Sequence, residues 1–215
     1  MRAHPRIGLM CKAPRPGFAK TRLAAALGRR RAAELARAFL ADSARLAAGL
    51  GPLTAFHAPA DAAQEIAPLL PPGTALVPQA EGDLGARLIA AFAELLAQGS
   101  PALVMGTDSP DLPPALLGEA LAALASHDAA IIPAEDGGYC AIALAAPQPQ
   151  LFRGIPWSSP QTLAATLAAG QGLRVHLTAP WHDVDEAEDL ARLDLSAAPA
   201  TRAVLYAGRG PRTGG

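Results

Sequence analysis

Short, almost wholly apolar runs alternate along this chain with longer amphipathic stretches. The runs Ile7–Cys11, Leu53–His57, Ala75–Val77, Ala102–Met105, Ala129–Ile132, Tyr139–Leu144 and Arg174–Leu177 have the length and turn-rich flanks that predict strands. Between them, Lys20–Leu27, Arg30–Gly49, Ala62–Leu69, Leu84–Gln98, Pro114–Ser126, Pro160–Ala169 and Glu186–Leu193 predict helices. The second helix places Leu35, Phe39 and Leu46 on one face with charges between them. Strands alternating with helices predict an α/β fold whose mostly parallel sheet is flanked by helices on both faces. Tyr139–Leu144 has no helix before it, so the sheet is mixed near that strand. From Ser196 the pattern dissolves. Residues 1–195 read as a single domain and 196–215 as a flexible C-terminal tail.

Composition narrows the function classes. A chain of 215 residues, 51% of them hydrophobic, suits one domain with a substantial core. The formal net charge of -1 gives no global field for nucleic acid, so any anion site must be local. Two cysteines, Cys11 and Cys140, without CxxC spacing, support neither a zinc site nor a disulfide framework. No apolar run approaches the ~20 residues that span a bilayer, and no signal peptide is legible, so the expectation is a cytoplasmic protein with no membrane partner.

Chemistry concentrates in loops that follow predicted strands, where open α/β sheets bind ligands. After the first strand comes Lys12-Ala-Pro-Arg-Pro-Gly-Phe-Ala-Lys-Thr-Arg-Leu23. Pro16 and Gly17 break the strand, and the helix restarts at Lys20, Thr21 and Arg22. Amides at a helix start beside cationic side chains form an anion site, with Lys20 and Arg22 on phosphate oxygens and Gly17 admitting close backbone approach. A Walker A loop is excluded, because its two glycine positions hold Pro14 and Ala19. The same segment could also be a plain turn with exposed basic residues.

After the fourth strand, Gly106-Thr-Asp-Ser-Pro-Asp-Leu-Pro113 places Asp108 at the crevice, where a carboxylate can hold Mg²⁺ or Mn²⁺ together with substrate phosphate. Asp111 could do the same or sit near the start of the following helix. In Glu135-Asp-Gly-Gly-Tyr139, Asp-Gly signals a hairpin turn. In the functional reading, Gly137 and Gly138 make room for a bound sugar or acceptor, and Asp136 bonds its hydroxyls. Asp183 and Asp185 alternate on an extended segment. One could complete a metal site with Asp108 while the other caps the helix predicted from Glu186; Glu188 and Asp189 read as structural. Asp83 could cap a helix that carries Arg87 toward a bound anion. Trp157 could flank an acceptor pocket or simply pack. No histidine pair has ligand spacing, and no G-x-S-x-G is present.

Taken in order, K-A-P-R-P-G-F-A-K-T-R-L, G-D-L-G-A-R-L, G-T-D-S-P-D-L-P, E-D-G-G-Y and D-V-D-E-A-E-D-L resemble the bacterial glycosyltransferase-A-like transferases of the radical-SAM/selenodomain-associated and arsenosugar-biosynthesis type. More widely, the chain is similar to nucleotidyltransferases of the same fold, though it lacks their G-x-G-x-R loop. The resemblance implies a nucleotide-diphospho-sugar transferase-like fold, Lys20 and Arg22 on nucleotide phosphates, and a divalent metal on Asp108 with Asp183 or Asp185. It implies metal-dependent glycosyl transfer from a nucleotide sugar to a small acceptor. The alternatives are nucleotidyl transfer from a nucleoside triphosphate to a phosphorylated acceptor, and a non-catalytic nucleotide-binding protein. A haloacid-type phosphatase, which Asp183-x-Asp185 suggests, needs its aspartates directly after the first strand.

Overall fold

The computed structural model describes residues 4–97 and 99–207. Strand β1 (Arg6–Lys12) lies inside a seven-stranded sheet, between β2 (Leu53–Ala58) and β4 (Ala102–Met105) and parallel to both. Beyond β2 lies β3 (Ala75–Pro78), also parallel. Beyond β4 lie β6 (Tyr139–Leu144), β5 (Ala129–Pro133) and β7 (Val175–Leu177). β6 runs antiparallel to both its neighbours, and β7 is parallel to β5. The mixed character expected near Tyr139–Leu144 is therefore present, and it comes from a hairpin between β5 and β6.

Alternation along the strands divides the core. Ile7, Leu9, Leu103 and Met105 meet α2 (Arg29–Ala48) and α5 (Pro114–Ala123) on one face. Phe56, Val104, Ile131 and Ile142 meet α4 (Leu84–Leu96) on the other. Gly8 permits the close approach of α4. A Cβ there would lie 2.9 Å from Leu95 Cδ1 and 3.0 Å from Val104 Cγ2.

The remaining helices are α1 (Thr21–Leu27), α3 (Ala63–Ile66) and α6 (Thr162–Ala169), with α7 (Pro199–Tyr206) at the end. Three expectations need correction. The helix predicted over Ala62–Leu69 keeps only α3 as regular helix, with Pro68 entering a flanking 3-10 turn because it lacks the amide an α-helix needs. Glu186–Leu193 forms only a 3-10 turn at Asp189–Arg192. There Asp189 Oδ2 accepts the Asp185 and Glu186 amides at 3.0 and 2.8 Å, so Asp189, and neither Asp183 nor Asp185, organises this loop. The chain after Ser196 does not run out as a tail up to residue 207, because α7 docks on α2. Asp42 of α2, buried, accepts the amides of Ala200 and Thr201 and the Thr201 hydroxyl at 3.0, 2.8 and 2.8 Å. Residues 208–215 of the expected tail lie outside the described residues. Among the described residues, no helix is long and apolar enough to cross a membrane.

The order of strands creates the site. The chain moves outward from β1 through β2 to β3, then returns to the other side of β1 as β4. The loops leaving β1 and β4 therefore diverge at their carboxyl ends and leave a crevice between them. Two consequences are testable. Asp42→Ala should cost about 2–3 kcal/mol in urea unfolding, since three hydrogen bonds to one buried carboxylate are lost together, and Asp42→Asn should cost less. Gly8→Val should lower the melting temperature markedly while Gly118→Ala, where a Cβ meets nothing, should not.

Candidate active site

Lys20 connects the loops at the crevice. It precedes α1 in the left-handed conformation, φ 52° and ψ 50°, which a non-glycine residue adopts at a cost. Its side chain is buried, and its ammonium lies 2.6 Å from Asp108 Oδ1 and 3.5 Å from Asp185 Oδ1. It also donates to the Val184 carbonyl and rests 5.4 Å from the centre of the Phe39 ring. A buried ammonium is tolerable only when oxygens replace its water, and three do so here. The Val184 amide in turn donates to the Asp108 carbonyl at 2.9 Å, joining the loop after β4 to the segment 183–185. Arg22, more exposed, donates to Asp185 Oδ2 at 3.0 Å.

Two adjoining cavities open around this cluster. The larger, about 590 Å³, is lined by Lys12, Lys20, Arg22 and Arg87, against only Asp108 and Asp185. Thr21 also lines it. Lys12 and Lys20 are the only lysines of the chain, and both face this space. Lys12 lines this cavity without having been singled out from the sequence; its signal was its place at the carboxyl end of the first strand. Gln79 is another. Its side-chain amide donates to the Cys11 and Phe56 carbonyls at 3.1 and 2.9 Å, and its oxygen accepts from Arg87 Nη1 at 3.2 Å. Arg87 Nε donates to the Gly82 carbonyl at 3.1 Å, so Arg87 is held toward the cavity from two sides.

The smaller cavity, about 160 Å³, is lined by Asp108, Asp136 and Asp183, with Tyr139 and Trp157 forming an apolar wall. Asp108, Tyr139, Cys140 and Trp157 line both cavities. Burial, then the charges of Asp136, Asp185 and Asp108, raise the Asp183 carboxyl to about 6. Burial drives the Cys140 and Cys11 thiols up to about 12, so neither is a thiolate nucleophile at neutral pH.

The predicted site residues divide. Lys20, Arg22, Asp108, Asp183, Asp185, Arg87, Thr21, Asp136, Gly138 and Trp157 all face one cavity or the other. Pro16 and Gly17 do not, and neighbouring Arg15 pairs instead with Glu65 and Asp61 at 2.8 and 3.4 Å. Asp83 also stands outside, accepting the Ala86 amide at 2.8 Å as the cap of α4. Gly137 is structural. At φ +90° a Cβ there would lie 2.2 Å from the Pro160 carbonyl oxygen, and its own carbonyl accepts the Leu163 amide at 2.8 Å. Asp136 serves both readings, since it closes the turn by accepting the Gly138 amide at 2.8 Å and lines the smaller cavity. Asp111 is buried away from the cavities. It accepts the Asp194 amide at 2.9 Å and lies 3.2 Å from His182 Nε2, which ties the loop after β4 to the C-terminal segment.

Among the described residues, no three carboxylate, histidine or cysteine groups converge as a cage for a cation. The residues fit a different arrangement. Mg²⁺ commonly takes one or two carboxylates and completes its sphere with substrate phosphate and water. Asp108 and Asp183 face the same cavity, and burial first, then the neighbouring carboxylates, raises the Asp183 carboxyl there. Asp185 is held by Lys20 and Arg22.

Comparison with known proteins follows this geometry. No curated protein matches the chain. Among solved structures, a protein from Desulfovibrio desulfuricans described as a candidate nucleotide-diphospho-sugar transferase is 30% identical, with a TM-score of 0.85, and the match covers 97% of this chain and 96% of that one. Rv0371c from Mycobacterium tuberculosis, solved in complex with manganese, is 20% identical at a TM-score of 0.52, covering 88% of this chain and 97% of its own. A 4-diphosphocytidyl-2C-methyl-D-erythritol synthase from Anaerococcus prevotii is 12% identical at a TM-score of 0.56, covering 90% and 99%. The fold is thus that of nucleotide-diphospho-sugar transferases and nucleotidyltransferases. A family model matches residues 39–159, more than half of the chain, and the chain belongs to that family, described as "Uncharacterized protein conserved in bacteria (DUF2064)".

Proposed function

We propose that this protein is a divalent-cation-assisted glycosyltransferase that binds a nucleotide sugar by its diphosphate in the larger cavity and passes the sugar to a small acceptor in the smaller one. The observation that carries this reading is the opposite charge of two cavities that meet at Asp108. Four cationic side chains suit a diphosphate, and a carboxylate-lined recess suits hydroxyls and a metal ion. The 30% identical structure, described as a candidate nucleotide-diphospho-sugar transferase, supports sugar transfer, as does the resemblance to arsenosugar-type glycosyltransferases. The manganese complex of Rv0371c, a protein of the same fold, supports a cation.

The chemistry follows from where charge develops. The acceptor's hydroxyl oxygen forms the new bond to the anomeric carbon, and its proton passes to a carboxylate of the smaller cavity. The bond from that carbon to the donor's phosphate oxygen breaks, and the electron pair leaves on the nucleoside diphosphate. Lys12, Arg22 and Arg87 stabilise that departing negative charge from positions fixed before reaction. Lys20 holds Asp108 and Asp185 in place. Asp108 and Asp183 are the carboxylates that would hold a divalent cation, and its chemistry there would be Lewis-acid stabilisation of phosphate charge. A second reading, nucleotidyl transfer with loss of pyrophosphate, draws on the same cationic cavity and on fold neighbours such as the 4-diphosphocytidyl-2C-methyl-D-erythritol synthase.

Three experiments test the reading. With UDP-glucose or GDP-mannose and Mn²⁺, the melting temperature should rise; stabilisation by nucleoside triphosphates alone would favour the second reading. Asp108→Asn should lower nucleoside diphosphate release by at least about a hundredfold while far-UV circular dichroism stays unchanged. Because the chain has only two lysines, amine acylation followed by peptide mass spectrometry reports directly on the larger cavity. Lys12 should react faster than the buried Lys20, and a nucleotide with Mn²⁺ should protect Lys12; unchanged labelling would remove it from the site.

A further inference from the structure

Resting on the two-cavity reading above, we infer that the smaller cavity accepts an uncharged or cationic molecule bearing hydroxyls, and that it excludes phosphorylated and other anionic acceptors. The sign of the cavity is the argument. Its ionisable lining is Asp108, Asp136 and Asp183, and no cationic side chain among the described residues lines it. Lys20 offsets Asp108, but from the larger cavity. The nearby Arg192 is bound to Glu135 at 2.7 Å. A divalent ion would offset two further charges. The balance then reaches zero at best and never turns positive. A phosphate entering here would face like charges, and the one cation open to it would be the metal that the donor's diphosphate already engages.

The same lining suits a polyol. Carboxylates accept hydrogen bonds from hydroxyls, and the side chain of Ser158 has no partner among the described residues. Ser158 sits at φ 57°, a conformation that holds it on the rim of both cavities at a cost in backbone strain. Tyr139 and Trp157, edge to face with ring centres 6.3 Å apart, give the recess an apolar wall for the C–H groups of a sugar or polyol. This favours glycosyl transfer over nucleotidyl transfer to a phosphate acceptor seated here, because the charged side chains that line the recess are all carboxylates.

Trp157 supplies the readout, as one of only two tryptophans. In the full chain carrying Trp181→Phe, indole emission is followed during titration with glycerol against glycerol 3-phosphate, and glucose against glucose 6-phosphate, with and without Mn²⁺. The neutral member of each pair should give a saturable change, and the phosphorylated member should bind at least tenfold more weakly. Asp136→Lys should narrow that ratio to threefold or less. If Trp181→Phe does not fold, the same titrations on the wild type, read at the Trp157 indole N–H resonance, give the answer. Equal or tighter binding of the phosphorylated members, or no saturable response to either neutral one, overturns the inference. These titrations contain no nucleotide, so their outcome is separate from the lysine labelling that tests the donor cavity.

Discussion

The ammonium of Lys20 is the contact on which the rest of the site depends. It brings together three stretches of chain that are remote in sequence: the turn after β1, the loop after β4 and the segment 183–185. Each of those stretches carries acidic or basic groups that would repel or wander if left alone. With the ammonium in place, Asp108 faces both cavities, and Asp185 is presented to Arg22 rather than to Asp183. Removing the charge would leave the Asp108 and Asp185 carboxylates close together with no ammonium between them, and like charges repel.

Strand order makes this meeting possible. Because β4 returns to the far side of β1, the two loops that supply Lys20 and Asp108 leave the sheet side by side and diverge. The antiparallel β6 then brings Tyr139 and Cys140 back beneath them as the floor of both cavities. The buried Asp111 anchors the same loop from behind by accepting the Asp194 amide and the Trp181 indole N–H. The rigid parts of the fold thus converge on one point, and the two cavities differ in charge because different loops finish each of them.

Much of this was legible in the chain. The seven strands and the main helices followed from apolar periodicity, since the inner strands, buried on both faces, leave little ambiguity. Lys20, Arg22, Asp108 and the Asp183–Asp185 pair were legible because charges placed after apolar strands have few structural uses. What failed had local causes. Glu186–Leu193 looked helical from its acids, yet Asp189 turns back to bond two preceding amides and stops the helix. The C-terminal helix was invisible because its main partner is Asp42, far away in sequence. Gln79 was missed for a related reason: what it touches depends on which strand ends are neighbours, and a single sequence does not state strand order. Of the two readings open for Gly137, a hairpin turn or space for a ligand, the turn holds, because Pro160 fills the space.

The choice of lysine at position 20 is itself informative in a chain whose cationic side chains are otherwise nearly all arginine. A guanidinium is a planar fork that needs acceptors spread across its edge. The pocket at the crevice instead gathers Asp108 Oδ1, the Val184 carbonyl and Asp185 Oδ1 around one point, above the Phe39 ring. Three rotatable donors on a compact ammonium satisfy that arrangement, and a fork would satisfy it only by spreading the carboxylates apart. Arg22 and Arg87, in contrast, line the larger cavity, where a guanidinium fork would suit the phosphate oxygens of the proposed donor. The division of labour between the two cation types therefore follows the geometry: the point charge joins the loops, and the forks line the cavity beside them.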